Sequence, residues 1–142
     1  MEFKSQIATT REQAEQLLTL GLKPETADMS IPIKDNPNLY CSARPYNDWN
    51  GYWKHNRFVI PAWSLSRLLE LIPKSIEQVN RPNADLDINS DGQCWFVTYV
   101  EFGYDVKHQE MKRDLFDSVI SMISWLIANG HFYIEYLKGD IK

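Results

Sequence analysis

Short amphipathic blocks alternate with glycine and proline breaks along this chain, and the spacing of apolar residues sorts the blocks into helices and strands. Ala14, Leu17, Leu18 and Leu20 form one apolar stripe, with Glu12, Glu15 and Gln16 on the other side. Thr9 and Thr10 each stand three residues before Glu12 or Gln13, the reciprocal pattern that satisfies free amides where a helix starts. The pattern predicts a helix over 10–20, ended by Gly21 in a left-handed turn. Pro24 leaves room for one brief helical turn in 22–28, and Pro32 confines the alternating run Met29 to Ile33 to an edge strand. Residues 34–57 carry Pro37, Pro45 and Gly51 among several Asn and Asp, which predicts short strands around Tyr40 and Tyr52 separated by loops.

Leu65, Leu68, Leu69 and Ile72 fall at i, i+3, i+4 and i+7, so a second helix runs over 64–72, capped by Ser64 and stopped by Pro73. Ile76 and Val79 suggest a short strand, and Arg81-Pro82-Asn83 a turn. Leu86 and Ile88 alternate with Asp85, Asp87 and Asn89. Ser90-Asp91-Gly92 then turns the chain into Cys94 to Phe102, rich in aromatic and β-branched residues, and together these predict a β-hairpin. Gly103 breaks the pattern, and 104–113 reads as a polar loop. Asp114 caps a last helix over 114–129 that is apolar on nearly every side and bears a ridge of Ser118, Ser121, Ser124 and Ala128. Asn129-Gly130 closes it before one more helical turn that packs Phe132, Tyr136 and Leu137. The expected architecture is α+β, a single domain over 1–142 with a small antiparallel sheet centred on the 84–102 hairpin and packed by three main helices.

Composition supports a folded core: 44% of the 142 residues are hydrophobic and 24% charged. A net charge of −4 supplies no overall field to hold a polyanion. No apolar run approaches the ~20 residues of a membrane helix, and the first residues lack the pattern of a signal peptide. A cytoplasmic protein with no membrane contact is expected, with Cys41 and Cys94 as thiols.

Three phrases, Leu20 to Met29 (LGLKPETADM), Ile60 to Leu69 (IPAWSLSRLL) and Trp125 to Phe132 (WLIANGHF), resemble markers of a family of small uncharacterised proteins from gut bacteria, their phages and mobile elements. The resemblance runs from residue 20 to residue 132 and implies no catalytic residue. Read from the residues, the phrases are structural: a helix end and turn, a Trp-Ser helix start, and a helix end.

Candidate chemistry is sparse. Asp87-Ile88-Asn89-Ser90-Asp91-Gly92 has the D-x-[DN]-x-[DN]-G spacing of a calcium loop, but the twelfth position holds Thr98 and a strand follows, so a plain Asp-Gly hairpin explains the same residues. Cys41, Tyr46, Lys54 and His55 recur at an offset of 53 as Cys94, Tyr99, Lys107 and His108, which raises a Cys2His2 zinc site without the close cysteine pair such sites use. His55, His108 and His131 stand apart from any nucleophile motif, and no phosphate-cradling glycine loop is present. No catalytic residue, metal or cofactor is therefore assigned.

Residues 40–58 are the richest window. They hold six aromatics (Tyr40, Tyr46, Trp49, Tyr52, Trp53 and Phe58), with Arg44, Lys54 and Arg57 against Asp48. Tyr, Trp and Arg anchor protein interfaces, and the same mixture stacks bases and holds phosphates. The leading expectation is a non-enzymatic interaction or adaptor protein of a phage or mobile element, binding a protein partner through Arg44, Tyr46, Trp49, Tyr52, Trp53, Lys54 and Arg57. Weak binding of nucleic acid or a nucleotide-like ligand through the same segment is the alternative, and a hydrolase built on one histidine ranks third. The last apolar helix offers a route to a homodimer.

Overall fold

A computed structural model describes residues 6–32 and 59–139 of the chain. Among these the fold is α+β, with three α-helices, a two-stranded sheet and a four-stranded sheet, both antiparallel. The chain divides into two compact units, Met1–Leu69 with Ile134–Lys142, and Glu70–Tyr133.

In the first unit, α1 (Arg11–Leu20) begins where the sequence places it. The Gln13 N–H donates to Thr10 Oγ1 at 3.2 Å, and the Thr10 N–H donates back to Gln13 Oε1 at 3.0 Å. Gly21, at φ 104°, ends the helix in the left-handed conformation that a side chain would strain. A 3-10 turn, Pro24–Thr26, is the brief helical turn expected there. Strands β1 (Met29–Pro32) and β2 (Val59–Ala62) pair antiparallel, with Met29 opposite Ala62 and Ile31 opposite Ile60, and Ala8, Met29, Ile31 and Ala62 form one buried cluster. Side-chain hydrogen bonds tie the start of the following helix to the 3-10 turn. Buried Trp63 donates its indole N–H to Thr26 Oγ1 at 2.9 Å, Asp28 accepts both the backbone and the hydroxyl of Ser64, and Arg67 Nε donates to the Thr26 carbonyl.

Helix α2 (Leu65–Leu71) takes Ser64 as its cap, since the Arg67 N–H donates to Ser64 Oγ at 3.1 Å. In the second unit the strand order is β3-β4-β5-β6: β3 (Ser75–Ile76), β4 (Ala84–Ser90), β5 (Trp95–Glu101) and β6 (Asp105–Lys112). The expected hairpin is β4–β5. Two expectations are corrected. Residues 104–113 are not a loop but carry β6, whose polar composition reflects a strand exposed along most of its length at the sheet edge. The strand near Ile76 stops there, and Val79 is 88% exposed in the following turn.

Helix α3 (Leu115–Ala128) is capped by Asp114, which accepts the Asp117 N–H, and it packs on β5 and β6. Phe116, Val119, Ile120, Met122, Ile123 and Leu126 are buried, whereas Ser124 and Ala128 are exposed. The small-residue ridge is therefore split. Ser118 is buried and spends its hydroxyl on the Trp95 carbonyl at 2.9 Å.

Candidate interaction surface

Side-chain alternation along paired strands fixes what each face of the four-stranded sheet displays. Tyr99 stacks on Trp125 of α3, so Val97, Tyr99 and their cross-strand partners Glu110 and His108 face that helix. The opposite face is a lattice of three rows: Asp85, Val100 and Val106; Asp87, Thr98 and Gln109; Asn89, Phe96 and Met111. Asp85, Asp87, Asn89, Val106, Gln109 and Met111 of this face are exposed, Phe96 and Val100 are half-buried, and Thr98 is buried among its longer neighbours with its hydroxyl on Gln109.

At one end of the sheet the β5–β6 turn presents a pair of aromatic rings. Phe102 and Tyr104 are 67% and 74% exposed and stack with centroids 6.3 Å apart. The Tyr104 N–H donates to the Glu101 carbonyl, and the two residues between, Phe102 and Gly103, lie at φ 57° and 80°. That is the geometry of a tight hairpin turn in which Asn-Gly is the favoured pair, so a phenylalanine there carries backbone strain. A charge network ties this end to the preceding turn. Buried Glu101 accepts from Arg81 at 2.7 and 3.0 Å and from Gln78 Nε2, fastening the 78–81 turn to the end of β5. The Arg81 guanidinium, with help from Gln78, holds the Glu101 carboxyl at about 2, well below the usual carboxylate range.

On the helix-facing side the structure joins two histidines that look unrelated in sequence. The His108 ring lies parallel on Trp125 at 4.2 Å, and His131 is tilted against the same indole at 5.4 Å. His108 Nε2 is 2.5 Å from Glu110 Oε2. Burial, with the charge of Lys107, pushes the His131 imidazole below its usual range. A cleft of about 330 Å³ opens beside His131 and Tyr133, opposite Ser75 and Glu77. His108 and His131 share the Trp125 indole as one aromatic stack, with the His108 ring oriented by Glu110. Sequence spacing does not show His108 in this cluster, because strand β6 reaches Trp125 only through tertiary packing.

The remaining sequence candidates separate. Asp91 turns inward on its own loop, accepting the Gln93 and Cys94 N–H groups at 2.9 and 2.8 Å, and these bonds hold its carboxyl below the usual range. Asp87 instead accepts from Asn89 on the open face, so the three side chains of the calcium-like spacing do not converge. Among the described residues no group of three or more His, Cys, Asp or Glu is placed to hold a metal ion. Cys94 precedes Trp95, which pairs with Lys112, while His108 pairs with Tyr99. Five strand positions, about 16 Å, keep that cysteine from sharing an ion with that histidine. Arg44, Tyr46, Trp49, Tyr52, Trp53, Lys54 and Arg57, with Cys41 and His55, lie outside the described residues.

The chain matches no protein-family model, no curated protein and no solved structure. Among the described residues no helix is long and apolar enough to cross a membrane.

Proposed function

We propose that this chain is a non-enzymatic protein-interaction or adaptor protein. The observation that carries the reading is the Phe102–Tyr104 pair, two stacked aromatic rings standing in solvent on a backbone strained to present them. Apolar surface of this kind is costly to expose, and aromatic side chains are the usual anchors of protein interfaces. The 40–58 segment joins the reading as a second contact region, supported by its tryptophans, tyrosines and arginines. The setting in a phage or mobile element rests on the likeness of the three phrases.

The test is site-specific photo-crosslinking in cells that naturally make the protein, with a benzophenone side chain at position 104 in one variant and at position 53 in another. Discrete protein adducts from either position support the reading. Adducts to nucleic acid from position 53 that vanish as salt rises would establish the nucleotide-binding alternative instead, because phosphate contacts weaken steeply with ionic strength.

A further inference from the structure

We infer that the open face of the four-stranded sheet is the seat for a basic amphipathic helix of a partner protein, an inference that rests on the protein-interaction reading above. The face is divided lengthwise. Strand β4 lines one side with Asp85 and Asp87, while β5 and β6 supply Phe96, Val100, Val106 and Met111. Every formally charged side chain in the three cross-strand rows is negative. Asp85 accepts the Ser75 hydroxyl at 2.8 Å and Asp87 the Asn89 amide at 2.6 Å, and among the described residues neither carboxylate is in an ion pair. Val106 and Met111, the outer apolar residues, are 59% and 52% exposed.

The dimensions select a helix. Three strands at about 4.8 Å spacing give a width of about 10 Å, which matches one helix with its side chains. Asp85 and Asp87 stand about 7 Å apart along β4, close to the ~6 Å between helix positions i and i+4, where two Lys or Arg would meet them. Phe96 and Val100 are about 13 Å apart along β5, near the ~12 Å that separates apolar anchors at i and i+8 of the same helix. An added strand fits less well, because the ladder register slips between Tyr99 and Val100 and β6 carries Asp105, Lys107, Glu110 and Lys112, features that guard an edge. Asp87 of the calcium-like spacing thus acquires a role that needs no metal: with Asp85 it sets the sign of the partner's charge, and the apolar side sets its periodicity.

The experiment uses the full chain and two labelled synthetic 16-residue helices that share Leu at i, i+4 and i+8. One carries Lys beside that stripe and the other carries Glu at the same positions. Fluorescence anisotropy is expected to show binding of the Lys helix at least tenfold tighter than the Glu helix. Asp87→Lys and Met111→Lys should each weaken the Lys helix at least fivefold while leaving the thermal midpoint of the protein unchanged. Equal binding of both helices, binding of neither, or amide shifts that map away from β4–β6 overturns the inference. If the face fails while position 104 still crosslinks a protein, the face is wrong and the interaction reading stands. If the face fails and neither position 104 nor position 53 crosslinks a protein, the interaction reading falls too.

Discussion

Phe102 occupies a position whose backbone would suit asparagine, and this mismatch between residue and conformation is the most informative local feature of the chain. A left-handed φ at a bulky residue costs on the order of 1 kcal/mol, whereas Asn tolerates it. Asn80, at φ 58° in the neighbouring turn, shows the tolerant choice in the same unit. Phe102→Asn is therefore expected to stabilise the protein by about 1 kcal/mol in urea denaturation while reducing crosslinking from position 104. Unchanged crosslinking would show that the ring is incidental to recognition. Lower stability would show instead that the stack on Tyr104 outweighs the strain.

Elements held by local chemistry are legible in the order of residues alone, and those held by long-range pairing are not. Thr10 and Gln13, Ser64, and Asp114 each cap a helix within three residues of their own position, so their identities announce the boundaries. Strand β6 escapes such a reading because most of its residues are polar, with Val106 and Met111 too far apart to show an alternating apolar pattern. Only pairing with β5 defines it. The open face is half visible: Asp87 stands out, but as a candidate cation ligand, because its sharing of a face with Asp85, Phe96 and Met111 depends on register. Two of the three family-like phrases prove to be one clamp, in which Trp63, Ser64 and Arg67 bond to Thr26 and Asp28. The clamp predicts that Trp63→Phe, which keeps most of the ring but removes the indole N–H from Thr26, costs about 1–3 kcal/mol with an unchanged far-ultraviolet spectrum. A loss under about 0.5 kcal/mol would mean that this hydrogen bond is not among the forces that hold the first unit together.

At the scale of the whole chain, acidic residues outnumber basic ones, 19 to 15, and Glu101 is a buried carboxylate whose charge is tied into a network. Its folded-state pKa, about 2, lies below the ordinary 4.5 because Arg81 and Gln78 bond to the ionised form. A depressed carboxyl pKa contributes stability that is fully present above the unfolded value and is lost as pH falls through the folded one. Stability should therefore decline between about pH 4.5 and pH 2. Glu101→Gln should flatten that decline, and the variant should be less stable than the parent at neutral pH and closer to it near pH 2. Denaturation midpoints across that range for both proteins check the sign. An unaltered acid profile in the variant would mean that other carboxylates govern acid unfolding. The same variant links the scales, because Glu101 fastens the 78–81 turn beside the residue that strains the β5–β6 turn. Weaker crosslinking from position 104 in Glu101→Gln at neutral pH, with the fold intact, would show that this buried charge holds the aromatic tip in its presenting geometry.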